Sequence, residues 1–494
     1  MRGAALFATA LALATIGRAV EIDGLPQPAE LRETKFTEPR EKTLANGLRV
    51  IVVERPGLPL VSAGLVIKSG AESDPAELSG LASFTAALLT QGTTTRSATQ
   101  IAREVEALGA TLKAKAAWDG TVIELTTLSA QADPAFALLA DVARHPKFAP
   151  AEIERLRRQT LDELRVALEE PGTVAALALN RVLLGAGLYA HPPTGTPASI
   201  KRLRREAITG FHASRYAAGQ ALLIVAGNLT ADSGFAIAEK HFGDWAAAPA
   251  KPPPAPGNFE PKAGPRAVLI DLPTAGQAAV VVGVPCIARG AEDYFAGEVA
   301  NSVLGGGYSS RLNQEIRVKR GLTYGAASAL TAWRAGGICS AHCQTKNVSA
   351  AEVVKLVQTE LDRLGSEAVP PDFLVTRQTV LVGGFARELE TNTGYVKRIA
   401  DFAVHDLPLD SLNTYLHRIR EVTASEVRAF GARYLSSERV CIVVAGRAQD
   451  CAKSLRELFP KLELIPQSEL DLDSPTLRKP SKRPTSGAAG VRKR

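Results

Sequence analysis

Cysteine and histidine side chains are the groups in this sequence that could bind a transition-metal ion. Cys339 and Cys343 lie in the run GGICSAHCQT, whose alternation predicts a strand with both sulfurs on the apolar face and His342 on the other. Residues four apart in a strand are roughly 13 Å apart at about 3.3 Å per residue, too far to share zinc or form a disulfide. With Cys286, Cys441 and Cys451 they make an odd, sparse set of five, which indicates buried apolar thiols.

The histidines show no closely spaced pair that could bind one metal ion. The seven histidines are His145, His191, His212, His241, His342, His405 and His417.

A glycine-rich run in the second half of the chain, LGGGYSSRLNQEIRVKRGLTYG (residues 304–325), carries Arg317 and Tyr324. Its glycines allow a tight backbone turn before a helix. Guanidinium and phenol groups donate hydrogen bonds that can hold a peptide carbonyl and stabilise a developing oxyanion. The structural alternative is that Arg317 pairs with a nearby acid and that Tyr324 is half-buried packing.

Two halves of similar length must position these groups, and they follow one plan. The first opens with the strand-like run GLRVIVVERPGLPLVSAGLVIKSG, and the second with AVLIDLPTAGQAAVVVGVPCIARG. Each half ends with a helix closing in Arg-Tyr, a short loop and a β-rich run ending in Ala-Gly. The pattern predicts an α+β fold of two tandem homologous domains, each a mixed β-sheet packed with helices.

Composition and charge set the domain boundaries and exclude some classes of function. With 494 residues, 46% apolar and 22% charged, the chain suits a soluble multidomain protein. Residues 1–19 and 474–494 hold nine uncompensated basic residues, so the net charge of +7 becomes −2 for the body, which gives no support to nucleic-acid binding. We predict a signal peptide (1–19), an N-terminal domain (40–245), a Pro-rich linker (246–265), a C-terminal domain (266–464) and a basic disordered tail (465–494).

The signal segment predicts export to the periplasm or the exterior, after cleavage near Ala19. An uncleaved segment would instead keep the protein at the membrane. The tail could contact an anionic surface weakly, or it could simply be a solvated end.

The glycine-rich run resembles the second-domain signature of the pitrilysin and insulinase family of inverted-zincin metallopeptidases. The runs HPPTGTPASIKRL (191–203), RYAAGQALLIVAGN and LPLDSLNTYLHRI (407–419) resemble that family as well, over residues of about 42–464. The resemblance implies the mitochondrial-processing-peptidase-like fold of a bacterial two-domain member. It also implies that Arg317 and Tyr324 reach from the second domain towards substrate in the zinc site of a facing half.

The zinc motif of that family, His-x-x-Glu-His on a helix, is degenerate in this chain. In the run GLASFTAALLTQGT (80–93) the matching positions are Ser83, Ala86 and Ala87, and only the downstream ligand-like position, Glu163, retains an acid. Alanine offers no ligand and a neutral hydroxyl is a poor one, so we expect no zinc here and no intrinsic peptidase activity.

The zinc-binding half of the family's site is missing from this chain, whereas the half that carries Arg317 and Tyr324 is present. The resemblance therefore implies a non-catalytic subunit of an exported heterodimeric zinc peptidase, whose homologous partner carries His-x-x-Glu-His and the zinc. This chain would close the chamber and position a peptide or small-protein substrate. The alternatives are a structural or assembly scaffold, a stand-alone peptide-binding module that uses a sheet edge, and a peptidase with a different metal site.

Overall fold

Two six-stranded mixed β-sheets form the framework of the protein in a computed structural model that describes residues 35–248, 258–261 and 265–480. The first sheet contains β1 (Arg40–Thr43), β2 (Arg49–Glu54), β3 (Leu60–Ile67), β4 (Thr111–Ala116), β5 (Thr121–Leu128) and β6 (Ala221–Gly227). The second contains β7 (Ala267–Asp271), β8 (Ala278–Cys286), β9 (Ala326–Ala332), β10 (Gly337–Thr345), β11 (Cys441–Gly446) and β12 (Glu463–Pro466). The predicted signal peptide 1–19 and most of the predicted linker 246–265 lie outside the described residues.

Five strands of each sheet follow the same plan. The spatial order is β1-β2-β6-β3-β5-β4 in the first sheet and β12-β7-β11-β8-β10-β9 in the second. β2 pairs with β6 in parallel, as β7 does with β11, and the next three pairings in each sheet are antiparallel. Only the outer strand differs, because β1 precedes its neighbour in the chain whereas β12 comes from the C-terminal end. The structure therefore confirms the predicted fold class.

Fifteen α-helices in the described residues pack on these sheets. The first half contributes α1 (Leu81–Leu88), α2 (Ala98–Ala107), α3 (Ala132–Arg144), α4 (Pro150–Ala167), α5 (Pro171–Leu184), α6 (Pro197–Arg202), α7 (Arg205–Arg215) and α8 (Ala231–Phe242). The second contributes α9 (Tyr294–Gly305), α10 (Ala350–Ser366), α11 (Pro371–Glu388), α12 (Asn392–Val404), α13 (Ser411–Glu421), α14 (Ala424–Tyr434) and α15 (Ala448–Leu458). Among the described residues, no helix is both long enough and apolar enough to cross a membrane.

The two halves exchange one helix each. Helix α5 of the first half packs on β8 and β11 of the second sheet, and α12 of the second half packs on β3 and β6 of the first. Glycines in the sheets permit this approach, because a Cβ at Gly64 would lie 2.6 Å from Val396 and one at Gly283 would lie 2.7 Å from Leu179. Each sheet thus has helices on both faces, which explains why β6 and β11 are buried along their whole length.

The five cysteines are buried, as the sequence predicted. In β10, Cys339 and Cys343 lie on the buried face, whereas His342 is exposed on the other face. This alternation follows from the two-residue period of a strand, and it keeps the two sulfurs on the hydrophobic core.

The predicted disordered tail needs a correction for residues 465–480. Strand β12 extends to Pro466, and the following segment folds back so that Leu477 is completely buried. Asp473 accepts a 2.7 Å hydrogen bond from Thr196, and Arg478 pairs with Glu469 at 2.6 Å. Composition alone does not predict these contacts, because Asp473, Leu477 and Arg478 are single residues within a Pro- and Ser-rich run. Residues 481–494 lie outside the described residues.

Candidate functional site

Helix α1 carries the degenerate zinc motif and starts at a buried carboxylate. Asp74 accepts hydrogen bonds from the backbone N–H groups of Gly80 (2.7 Å) and Ala82 (2.8 Å), which satisfies two donors at the start of the helix. Gly80 has a φ of +88°, and a Cβ there would lie 2.7 Å from the backbone nitrogen of Gly195. The loop that follows His191 therefore packs directly against the first turn of α1.

The motif positions on α1 offer no metal ligand. The Ser83 hydroxyl donates a 2.7 Å hydrogen bond to the carbonyl oxygen of Pro193, so this group is already engaged. Ala86 is fully buried and Ala87 is half-buried in the first core, and neither has a donor atom. The helix keeps its packing role because Leu81, Phe84 and Leu88 hold it in the core.

Glu163, the fourth position, is exposed on α4 and accepts a 2.9 Å hydrogen bond from Gln159 in the preceding turn. One exposed carboxylate and one engaged hydroxyl do not fit zinc, which requires three or four strong ligands. In the described parts of the chain, no three His, Cys, Asp or Glu side chains come together in a group that could hold a metal ion.

The glycine-rich run of the second half forms a turn and a π-helix. The turn follows α9, and the helix, Asn313–Val318, has the wide hydrogen bond from Lys319 N–H to the Gln314 carbonyl. Such π-turns are uncommon and concentrate at functional sites. The side chain of Asn313 donates to the Tyr308 carbonyl at 2.7 Å, which fixes the turn against the helix.

Arg317 lies between two exposed tyrosine rings. Its guanidinium carbon is 4.7 Å from the ring centroid of Tyr324 and 5.1 Å from that of Tyr308. Tyr324 is 89% exposed and Tyr308 is 66% exposed, so neither ring serves as core packing. The structure therefore brings Arg317 and Tyr324 together and adds Tyr308, which the sequence analysis did not single out although this aromatic directly follows three glycines.

The Arg317 guanidinium has no hydrogen-bond or ionic partner among the described residues. The nearby acid, Glu315, is taken by Lys319 and by Arg320, whose Nη1 is 2.7 Å from the carboxylate. These contacts lower the pKa of Glu315, so it remains ionised and paired. The N–H donors of Arg317 are therefore available to a ligand, and the flanking rings restrict the orientation of the guanidinium.

A cavity of about 620 Å³ opens beside this Tyr308–Arg317–Tyr324 stack. Tyr324 lies at its wall, where Thr323 anchors the loop with a 2.7 Å hydrogen bond to the Gln344 carbonyl. Apolar side chains of α5 and of β8 and β10 contribute most of the surface, and His342 and Gln344 contribute polar groups. His342 is exposed to solvent within the cavity, and its partial desolvation by the surrounding walls lowers its pKa and favours the neutral form. The cavity thus suits an apolar group held beside the donors of Arg317 and Tyr324.

A buried ionic cluster joins the two halves elsewhere. Asp119 of the first half accepts hydrogen bonds from Tyr189 (2.7 Å) and from the backbone of Arg334 (2.8 Å) in the second half. His405 lies 3.6 Å from Asp119 and 3.2 Å from Asp401. Burial opposes the charged imidazole, but the hydrogen bonds to the two carboxylates prevail and raise the pKa of His405 to about 9.

Comparison with known proteins places this geometry in context. The model of the Insulinase (Peptidase family M16) family matches residues 49–187, and the model of the Peptidase M16 inactive domain matches residues 202–377. An uncharacterized zinc protease of Mycobacterium tuberculosis is 30% identical over 409 residues, which cover 83% of this chain and 93% of that protein. An uncharacterized zinc protease of Streptomyces coelicolor is 27% identical, covering 83% of this chain and 90% of that protein.

Solved structures show the same architecture. A peptidase M16 inactive domain from Pseudomonas fluorescens superposes with a TM-score of 0.76 at 30% identity, covering 83% of this chain and 98% of that one. A protease from Helicobacter pylori superposes with a TM-score of 0.78 at 20% identity, covering 83% and 99%. At that lower identity, the second similarity concerns the fold alone.

Proposed function

The chain belongs to the insulinase family of peptidases, peptidase family M16, and from that premise we propose that it is the non-catalytic, substrate-positioning subunit of an exported two-chain zinc peptidase. It has the peptidase-like fold of the family, whereas its zinc-motif positions carry Ser83, Ala86 and Ala87. A homologous partner with an intact His-x-x-Glu-His motif would hold the zinc and perform the cleavage.

The observation that carries this proposal is the Tyr308–Arg317–Tyr324 stack. A guanidinium held between two exposed rings, with no internal partner, is an arrangement that stability does not require. Its donors can hold a peptide carbonyl and stabilise the negative charge that develops on that oxygen during hydrolysis. The adjacent cavity would accept an apolar side chain of the same peptide.

A second candidate, the stand-alone peptide-binding module, has an observation in its favour. Within the described parts of the chain, strand β4 is an edge strand that pairs only with β5, and alternate residues along it are exposed. An extended peptide could add to this edge by backbone hydrogen bonds. In that case no partner would be needed for peptide binding. For this module and for an assembly scaffold alike, no turnover would depend on Arg317.

Co-expression with a homologous chain that carries His-x-x-Glu-His tests the proposal, and a product of a neighbouring gene is the first partner to try. We expect zinc in the partner, peptide cleavage only by the pair, and a fall in kcat/KM of about 10²-fold for Arg317→Met, the loss typical of one oxyanion donor. Tyr324→Phe should lower kcat/KM in the same direction. Arg456→Met, which removes an exposed arginine of the same half, is the matched control.

Two results would contradict this function. One is stoichiometric zinc in the purified chain, measured by mass spectrometry, together with cleavage by the chain alone. The other is a pair whose turnover is unchanged by both Arg317→Met and Tyr324→Phe. Peptide binding by the zinc-free chain, without any turnover that depends on a partner, would favour the module. If neither peptide binding nor partner-dependent turnover is found, the scaffold is favoured.

A further inference from the structure

Arg377 on α11 is a buried cation that has no ionic partner in the described ranges of the chain. Arg377 is 2% exposed, and its Nε has no hydrogen-bond acceptor among the described residues. The single hydrogen bond of its guanidinium is a long one, 3.3 Å from Nη1 to the hydroxyl of Ser309. Burial lowers the pKa of Arg377, and no neighbouring carboxylate opposes this effect. A buried charge in this condition is unfavourable unless a ligand compensates it.

Other buried arginines of the protein are compensated. Arg181 donates to the carbonyl oxygens of Leu472 and Gly185, and Arg289 pairs with Asp401 at 3.2 Å. The side chain of Arg215 donates no hydrogen bond within the described residues, but the charges of two nearby acids, Glu72 and Asp74, act on it. Arg377 therefore differs from them in having neither carbonyl acceptors nor acids around its guanidinium.

The guanidinium of Arg377 faces the glycine-rich turn. A Cβ at Gly307 would be 4.0 Å from both Nη atoms of Arg377, and Gly307 has a φ of +141°, a conformation that favours glycine. The Tyr308 carbonyl is held by the side chains of Asn313 and Gln314, at 2.7 and 3.2 Å. The backbone N–H groups of residues 307, 308 and 309 have no acceptor in the described part of the chain. Three N–H donors without an acceptor in the described residues thus belong to one exposed turn, and the guanidinium of Arg377 lies next to it.

We propose that residues 307–309 and Arg377 form a binding site for a carboxylate group of a peptide. Successive backbone N–H groups and a guanidinium are the donors that proteins use for oxyanions, and a carboxylate would neutralise the buried charge. Glu315 is the acid nearest in sequence to the turn 307–309. It is already paired with Lys319 and Arg320 and does not occupy the site.

The site continues the substrate surface described above. Tyr308 belongs both to the turn and to the stack with Arg317, which in turn contacts Tyr324 at the cavity wall. An extended peptide over this surface would therefore place one carboxylate, from an acidic side chain or from its C-terminus, at residues 307–309. The peptide nature of the ligand rests on the proposed function, whereas the carboxylate preference rests on Arg377 and the turn.

Three labelled peptides of one extended sequence test the site with the full chain by fluorescence anisotropy. The first has glutamine at one position and an amidated C-terminus, the second has glutamate in place of that glutamine, and the third has glutamine and a free C-terminal carboxylate. We expect at least one carboxylate peptide to bind about tenfold more tightly than the neutral peptide, as a charge-assisted hydrogen bond allows. The peptide that gains affinity identifies the source of the carboxylate.

Arg377→Met should abolish this preference and leave binding of the neutral peptide unchanged. It should fold with a melting temperature no lower than that of the wild type, because it removes a buried charge that has only a 3.3 Å hydrogen bond to Ser309 and a 5.9 Å contact with the Phe373 ring in the described residues. Arg387→Met on the same helix is the matched control and should keep the preference, since Arg387 is exposed and roughly 15 Å further along α11. If Arg377→Met fails to fold, sulfate provides a second test, because it should compete selectively with the carboxylate peptide on the wild-type chain.

Equal binding of the three peptides would overturn the carboxylate site and leave the proposed peptide-binding function intact. A preference that survives in Arg377→Met, or that sulfate leaves unchanged, would also overturn it. If none of the peptides binds, the carboxylate site is contradicted, whereas the proposed function is judged separately by the partner-dependent turnover described above.

Discussion

At the scale of single residues, three small side chains on α1 stand at the zinc-motif positions, whereas Arg317 carries hydrogen-bond donors. Ser83, Ala86 and Ala87 are small and lie on a helix whose packing depends on other residues, so α1 forms without zinc ligands. Arg317, in contrast, contacts the exposed rings of Tyr308 and Tyr324, and these contacts add little to the core. The packing of α1 and the arrangement of the Tyr308–Arg317–Tyr324 stack therefore do not depend on each other.

Tyr308 offers a test of the stack at this scale. Tyr308→Ala should reduce kcat/KM of the proposed two-chain enzyme roughly tenfold, because a cation–π contact contributes about 0.5–2 kcal/mol and orients the guanidinium. Tyr308→Phe keeps the ring and should retain most of the activity. Steady-state kinetics with the partner present would measure both, and equal effects of the two substitutions would exclude an orienting role for the ring.

At the scale of elements, the exchanged helices α5 and α12 decide how the two halves are joined. Each helix crosses the sheet of the other half at a glycine. The helix side chain that faces this glycine is stiffer in α12 than in α5. Val396 opposite Gly64 is β-branched, whereas Leu179 opposite Gly283 has more rotamers available. A methyl group should consequently be tolerated less well at the first crossing than at the second.

Gly64→Ala should lower the free energy of unfolding by about 1–3 kcal/mol, the usual cost of overpacking, and Gly283→Ala by less. Denaturant and thermal unfolding would measure both changes. Gly210→Ala is the control, since a Cβ at this exposed site in α7 meets nothing within 4 Å and should stabilise the helix by roughly 0.5–1 kcal/mol. Unchanged stability in Gly64→Ala would show that α12 does not pack on β3 in this way.

At the scale of the whole molecule, the cluster of Asp119, Asp401 and His405 ties the two halves together by charge. The pKa of His405 is raised from 6.5 to about 9, whereas the pKa values of Asp119 and Asp401 are lowered. Tyr189, which donates to Asp119, has a raised pKa and remains protonated. Near neutral pH the cluster therefore contains a charged imidazole between two carboxylates.

This cluster predicts a pH dependence of stability between about pH 6.5 and 9. Because the folded state keeps the His405 proton when the unfolded state has lost it, its contribution is complete below pH 6.5 and declines as pH rises through about 9. The contribution is on the order of 3 kcal/mol. His405→Gln should lower stability at pH 6.5 and flatten the slope above it, as measured by urea unfolding across the pH series.

His417→Gln, at an exposed histidine, is the control for this series and should leave the slope unchanged. A wild-type slope that persists in His405→Gln would assign the pH dependence to another group.

The sequence by itself determined the fold class, the duplication, the burial of the cysteines and the loss of the zinc motif. These properties depend on local periodicity and on residue identity, so spacing along the chain is sufficient to infer them. The run GLASFTAALLTQGT shows the missing ligands without any coordinates, and the strand period places His342 opposite Cys339 and Cys343.

Only the tertiary structure decided which distant residues meet. The exchange of α5 and α12, the contact of Asp473 with Thr196, the ring of Tyr308 on Arg317 and the position of Arg377 beneath the turn all join separate segments. Such contacts depend on how the packed elements cross, and sequence spacing carries no information about that geometry. For residues 465–480 of the tail the prediction of disorder was wrong for the same reason, because a few anchoring contacts outweigh their composition.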